Sequence, residues 1–341
     1  MEMVRMLVTL TGAYRNAGDH LIGHRARALL RKHVDQEIVN IDRRAINEDS
    51  YEIFNKARAV ILCGGPAYQA GIYPKVFPIT LERITSKVVP MGLGWKGNLS
   101  QTPKDFKFPE VAEKFIREVH SKIEVSSVRD ALTLEVIQGM GINNVSMTGC
   151  PAWYDLENIE NEYVFKPTAT KIAFSLPAKP QEDTFGIIAG LSKEFPKAEK
   201  VLAMHHGWRP SKSVKGNEMF KWHLKVMAFA VARGWKIMSI ADGLDKFRDL
   251  YDSADLHLGY RVHSHIYSLS HQSASLLINE DSRGVGQTTS LGGEMLMAGT
   301  GAQVVLDAVR KHFDTKGAAV LESTNRIKAT YPVMVKFLET L

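Results

Sequence analysis

Residues 4–32 read VRMLVTLTGAYRNAGDHLIGHRARALLRK, and a change of period inside this stretch decides the fold. Residues 4–10 are dense in Val, Leu and Met, as a buried strand requires, and they stop at Thr11-Gly12. From Asp19 onward the apolar positions are Ile22, Ala26, Leu29 and Leu30, with Arg25, Arg27, Arg31 and Lys32 between them. That is the spacing of one helical face. Strand, Gly-bearing loop and helix in this order open a parallel β-α-β unit.

The rhythm continues along the chain. Further strands are predicted at residues 37–41, 59–62, 87–91, 124–128 and 144–148, with a helix starting near Asp130. Residues 155–170, rich in Glu and Asn and containing Pro167, break the pattern and read as a linker. A second set of strands follows at 171–176, 201–204, 235–240, 256–258 and 275–279. Helices are predicted near 182–194, 217–233, 244–253, 262–271, 303–312 and 324–341. The expected architecture is α/β, with two Rossmann-like domains facing a cleft. The N-terminal domain would span residues 1–160, the C-terminal domain 170–300, and C-terminal helices 301–341.

The 341 residues carry 43 basic and 37 acidic side chains, a net charge of +6. This mild excess suits an anionic substrate or an acidic lipid surface. With no dense basic block and no basic-aromatic stripe, nucleic acid is not an expected partner. Cys63 and Cys150 form neither a disulfide framework nor a CxxC zinc pair, and read as buried thiols in a reducing compartment. The first ten residues include Glu2 and Arg5 and lead into a glycine loop, unlike a signal peptide. No apolar run reaches the ~20 residues of a membrane span. The expected location is the cytoplasm, with the inner membrane surface as a second setting.

In open parallel sheets, ligands bind where loops leave the carboxyl ends of strands. The first such loop, from Gly12 to His20, offers Asn16, Gly18 and Asp19 as capping and anion-binding groups, although it matches neither GxGxxG nor Walker A. Gly64-Gly65 ends the third strand and permits close backbone approach. Arg129 ends the fifth, beside Asp130, which is either a helix cap or its ion partner. A guanidinium fork there suits a carboxylate or phosphate. Gly259-Tyr260-Arg261-Val262-His263-Ser264-His265 joins a strand to a helix whose Val262, Ile266 and Leu269 face inward. His263 and His265 fall on opposite flanks of that face, and His205 and His206 point oppositely along a strand, so neither pair suits a metal. Glu280, Asp281 and Arg283 follow the last predicted strand as a polar wall. HExxH and GxSxG are absent.

Taken in order, the Asn16-x-Gly18-Asp19 core, Gly64-Gly65, Ser127-Val128-Arg129-Asp130, Thr148-Gly149-Cys150-Pro151 and Gly259-Tyr260-Arg261-Val262-His263 resemble the polysaccharide pyruvyl transferase family. The resemblance implies a GT-B-like fold. It also implies transfer of a carboxyvinyl-derived unit from phosphoenolpyruvate to a sugar of a cell-surface polysaccharide or its precursor, as a pyruvate ketal. Carried over by motif, His263, Arg261 and Arg129 are the catalytic candidates. Asn16, Gly18, Asp19, Gly64, Gly65, Asp130, His265, Asp281 and Arg283 are the substrate-binding candidates. His263 would move protons with a pKa near neutrality. No metal and no cofactor are expected. The partners are phosphoenolpyruvate and a saccharide acceptor, with membrane contact only through a lipid-linked acceptor. The chain departs from the family pattern at His20, where an acid is common, at Pro66 in place of a third glycine, and at Ser264 in place of a glycine. Two other readings compete. One is a GT-B glycosyltransferase holding a nucleotide-sugar ribose through Glu280 or Asp281. The other is a saccharide- or anion-binding protein without turnover.

Overall fold

The computed structural model describes residues 6–12, 16–205, 214–241 and 243–341. Residues 4 and 5 of the first predicted strand, residues 13–15 of the loop after it, and His206 lie outside them.

The first unit alternates β1 (Met6–Thr11), α1 (Ala17–His33), β2 (Glu37–Asp42), α2 (Glu48–Lys56), β3 (Ala59–Cys63) and β4 (Lys87–Met91). It continues with α3 (Glu110–Ser121), β5 (Ser126–Val128), α4 (Ala131–Gly139) and β6 (Val145–Met147). The first four strands form a parallel sheet in the order β2-β1-β3-β4, with Leu7 of β1 opposite Ile38 and Ala59. The parallel pair β5-β6 joins its edge through a bridge from Leu93 to Val128. All five residues of β3 are buried, because helices cover both faces of the sheet. At the start of α1, the Asn16 side chain accepts the Gly18 N–H and caps the helix.

The second unit contains β7 (Lys171–Ser175), α5 (Asp183–Glu194), β8 (Glu199–Met204), α6 (Val214–Val231), β9 (Lys236–Ser239), α7 (Asp245–Asp252) and β10 (Leu256–Gly259). Then come α8 (Val262–Ser270), β11 (Ala274–Asn279), α9 (Ser282–Leu291) and β12 (Leu296–Met297), followed by α10 (Ala302–Asp314) and α11 (Ala318–Leu338). Its sheet is parallel throughout, in the order β12-β11-β10-β7-β8-β9. Counted from β7, this is the Rossmann order 6-5-4-1-2-3, while the first sheet follows the flavodoxin-like order 2-1-3-4. The expected α/β architecture of two Rossmann-like units therefore holds.

Residues 155–170 contain no helix or strand. The segment starts at Asp155, whose Oδ2 accepts Arg25 Nη2 of α1 at 2.7 Å and contacts His271 Nε2, just past α8, at 2.9 Å. These contacts hold that turn to both units, and against the effect of burial the His271 hydrogen bond and then the Arg25 guanidinium hold the Asp155 carboxyl well below the ordinary range. From α11, Tyr331 reaches back to the first unit, its hydroxyl 2.8 Å from His33 Nε2. Cys63 and Cys150 are free and buried, and burial pushes their thiols up to about 12 and about 11. Among the described residues, no helix is long and apolar enough to cross a membrane.

Each sheet reverses its winding at one point, between β1 and β3 in the first and between β7 and β10 in the second. Ligand crevices form where the loops diverge at such points. The loops that end these four strands carry Asn16, Gly64, Ala178 and Arg261.

Candidate functional site

All four loops open on one cavity of about 220 Å³. From the first unit it is lined by Gly12, Asn16, Gly18, Asp19, Arg43, Gly64, Gly65 and Arg129. From the second come Ala178, His205, Tyr260, Arg261, His263, Glu280 and Arg283. Arg129, Arg261 and His263 thus share one wall system although they come from different sheets.

The arginines are fixed before any ligand arrives. Arg129 is 2% exposed, donates Nε to Asp130 Oδ2 at 2.9 Å, and donates Nη2 to the Trp95 carbonyl at 3.1 Å. Its side chain runs over Gly94, where a Cβ would sit 1.8 Å from Nε. Asp130 also accepts the Thr133 N–H and caps α4, so the two readings of that carboxylate hold together. Arg261 donates Nη2 to the Pro177 carbonyl at 3.1 Å. Burial draws its pKa down to about 10, against the pull of Glu280, and leaves it cationic at neutral pH. Burial works in the same sense on Arg283, but hydrogen bonds from its Nε and Nη2 to Asp281 outweigh it and raise its pKa. Burial raises the pKa of the two lining carboxyls, Asp19 and Glu280, over the opposing cations. The cavity wall thus carries the guanidiniums of Arg43, Arg129, Arg261 and Arg283 against the carboxyls of Asp19 and Glu280, a set that offers donor forks to a small anion.

His263 is the second residue of α8, and its ring lies directly against α1: a Cβ on Gly18 would be 2.1 Å from Nδ1. Burial first, then Arg129 and Arg283, push its pKa down to about 3. This corrects the expectation of a near-neutral pKa. In this cavity the imidazole is neutral at physiological pH.

Three other predicted binding residues lie off the cavity wall. His265 is turned away, because two residues along a helix rotate the side chain about 200°. Its Nδ1 is 2.8 Å from Ser275 Oγ, and it borders a separate cavity of about 30 Å³. Asp130 and Asp281 act behind the wall, as the carboxylates that hold Arg129 and Arg283. Arg43 is a cavity residue that the sequence reading missed. It follows β2 at the same carboxyl edge, and its guanidinium occupies the space over Gly12, where a Cβ would lie 2.3 Å from Nε. An arginine just after a strand, across from a strand-ending glycine, was the available signal. His205 was weighed only as half of a metal pair. It ends β8 on the cavity wall, with Nε2 2.9 Å from Tyr251 Oη and 3.0 Å from Ser264 Oγ. Among the described residues, no group of three or more His, Cys, Asp or Glu side chains is arranged to hold a metal.

The family model for polysaccharide pyruvyl transferase matches residues 16–282. No curated protein matches the chain. Among solved structures, UDP-GlcNAc 2-epimerase from Neisseria meningitidis bound to UDP-GlcNAc superposes with a TM-score of 0.57 at 11% identity, over 97% of this chain and 100% of that one. S. aureus MnaA with UDP gives 0.55 at 12% identity, over 94% and 91% of the two chains. Anabaena Alr3699/HepE in complex with UDP and glucose gives 0.53 at 10% identity, over 99% and 100%. At these identities the likeness is one of fold, and the fold is GT-B-like.

Proposed function

Because the chain belongs to the polysaccharide pyruvyl transferase family, we propose that its cavity binds phosphoenolpyruvate and transfers the pyruvyl unit to two hydroxyls of a saccharide, forming a ketal. One observation carries the reading: Arg129 of one sheet, Arg261 and Arg283 of the other, and a neutral His263 line the same cavity of about 220 Å³. Phosphoenolpyruvate presents a carboxylate and a phosphate, and each matches a guanidinium fork. A cavity of this size lies below the ~300–1,000 Å³ common for larger ligands, and suits a three-carbon anion.

In the proposed reaction the methylene carbon gains a proton, and an acceptor hydroxyl attacks the neighbouring carbon. The bond to the phosphate oxygen breaks, phosphate leaves with the electron pair, and the second hydroxyl closes the ketal. Of the two hydroxyl protons, one balances the methylene proton and the other leaves with phosphate. Neutral His263 takes the proton from the attacking hydroxyl, a role worth roughly 10²–10⁴-fold. Arg129, Arg261 and Arg283 hold the donor and stabilise the departing phosphate. The reaction belongs to the cytoplasm, or to its membrane face where the acceptor is lipid-linked.

The UDP in the solved neighbours prompts a competing donor, a nucleotide-sugar. Both carboxylates suited to its ribose are engaged: Glu280 accepts the Ala178 N–H at 2.9 Å, and Asp281 caps α9 while pairing with Arg283. Incubating the protein with candidate saccharides and either phosphoenolpyruvate or UDP-sugars tests the choice. Acceptor-dependent phosphate release from phosphoenolpyruvate is expected. Release of UDP instead would replace this reading with the competing one, and binding of phosphoenolpyruvate without turnover would leave an anion-binding protein.

A further inference from the structure

Behind the cavity wall are two histidines that the proposed chemistry does not use, His257 on β10 and His265 on α8, 1% and 5% exposed. They lie on one continuous chain of hydrogen bonds. Ser175 Oγ, at the end of β7, accepts the backbone N–H of Arg261 at 3.2 Å and lies 2.9 Å from His257 Nε2. His257 Nδ1 is 2.7 Å from Ser275 Oγ, which is 2.8 Å from His265 Nδ1.

Donor and acceptor counting gives this chain one direction. Ser175 Oγ already accepts an N–H, so its own proton needs an acceptor, and His257 Nε2 is in place. His257 then carries its proton on Nδ1 and donates to Ser275, whose hydroxyl donates to His265 Nδ1. Run the other way, the chain would leave the fully buried Ser175 hydroxyl proton without an acceptor among the described residues. Burial holds the His257 imidazole well below its ordinary pKa, which keeps the ring neutral as this chain requires.

Ser175 in turn anchors the start of the Arg261-x-His263 turn. Its carbonyl accepts the Tyr260 N–H at 3.1 Å, and its hydroxyl accepts the next amide, that of Arg261. The two strands approach so closely that Gly259, at φ +144°, would place a Cβ 2.3 Å from the Ser175 carbonyl oxygen. We propose that His257 is a positioning residue: it orients the Ser175 hydroxyl and thereby sets Arg261 and His263 for the anionic donor. Its binding readout rests on the donor reading above, and its spectroscopic readout does not.

Two near-isosteric substitutions separate positioning from packing. His257→Gln places an amide oxygen near the former Nε2, facing Ser175, whereas His257→Asn places its amide near the former Nδ1, facing Ser275. Asparagine is one methylene smaller than glutamine, so Ser175→Ala, which leaves the imidazole in place, serves as the control for lost volume. Phosphoenolpyruvate titrated calorimetrically into His257→Gln is expected to bind within about threefold of wild type, and into His257→Asn at least about tenfold more weakly. Ser175→Ala should weaken binding like His257→Asn, and adding His257→Asn to it should change little further. In ¹⁵N-imidazole spectra of the wild type, His257 is expected as the Nδ1–H tautomer with no titration from about pH 5.5 to about pH 8. The Arg261 amide resonance should move in His257→Asn and stay in His257→Gln. Equal affinities for the Gln and Asn variants, an Nε2–H tautomer, or an Arg261 amide indifferent to both changes would overturn the proposal. If wild type shows no heat with phosphoenolpyruvate, the donor reading fails, and the tautomer and the Arg261 amide still decide the role of His257.

Discussion

Gly18 and His263 meet where the two units face each other: a Cβ on Gly18 would stand 2.1 Å from the imidazole Nδ1. No real Cβ tolerates that distance, so the opening turn of α1 is glycine because the ring needs its space. Gly18 also donates its N–H to the capping Asn16, which fixes the turn against which the ring rests. Replacing it with alanine must displace either the ring or the helix. Alanine gains roughly 1 kcal/mol of helix propensity over glycine, which offsets part of the strain. Gly18→Ala is therefore expected to lower kcat/KM for phosphate release by about a hundredfold, with a melting temperature within a few degrees of wild type. Parallel kinetic and thermal measurements check it, and an alanine variant of full activity would show that His263 need not stay where it is.

Among the described residues, Asp130 is the carboxylate paired with Arg129, and both side chains are almost wholly buried. Truncating one partner of such a pair leaves the other charge uncompensated, at a cost of about 3–5 kcal/mol. Asp130 also caps α4. Asp130→Asn should thus lower the urea midpoint substantially and, by removing the charge that strengthens the hydrogen bond from Arg129 Nε, raise KM for the donor more than it lowers kcat. A variant with unchanged stability and unchanged KM would mean the pair neither supports the fold nor aims the guanidinium.

Much of this arrangement was legible in the sequence, because period-2 and period-3.6 patterns reflect burial directly. The predicted strands at 87–91 and 37–41 match β4 and β2 within one residue. Three helices and a strand were not anticipated. Helix α9 has the plainest reason: Ser282-Arg283-Gly284-Val285-Gly286 carries no apolar stripe. It exists because Asp281 caps it and because Gly286 lets it pack over Asp130, where a Cβ would come 2.7 Å from the carboxyl carbon. That is a tertiary cause, invisible to local propensity. The site was readable where a motif sat at a strand end, as for Arg129 and Arg261. It was misread at His265, where membership of the motif was taken as facing the ligand although helical geometry turns it inward.

Buried neutral histidines make the fold sensitive to mild acid. His265 is held down to about 3, and His257 lies well below its ordinary pKa, both chiefly by burial. For a histidine whose folded pKa is depressed, the unfolded chain binds the extra proton first. Stability is therefore full above the unfolded pKa near 6.5 and falls as pH drops below it, down to the folded value. At pH 5 each such residue costs about 2 kcal/mol. Asp155, with its lowered pKa, loses its contribution only at more acidic pH, as its unfolded value near 3.8 is approached. Chemical denaturation should therefore show a steep loss of stability between about pH 6.5 and about pH 5, reduced in a His265→Gln variant. A flat profile over that interval would contradict neutral burial of these rings.

Anion binding should reverse the depression at His263. After burial, Arg129 and Arg283 lower its pKa, so a polyanion seated between them cancels their effect and adds attraction of its own. The His263 pKa must rise on binding, so the imidazole takes up protons, while the bound phosphate, whose second pKa lies at about 6, gives them up. The imidazole's share is therefore the difference between wild type and His263→Gln. Near pH 6, titration of phosphoenolpyruvate in buffers of different ionisation enthalpy should show less net proton uptake, or more release, in His263→Gln than in wild type, with measurable affinity retained because the three arginines remain. A buffer dependence identical in the two proteins would mean that the imidazole does not sense the anion and that another group moves the proton in the reaction.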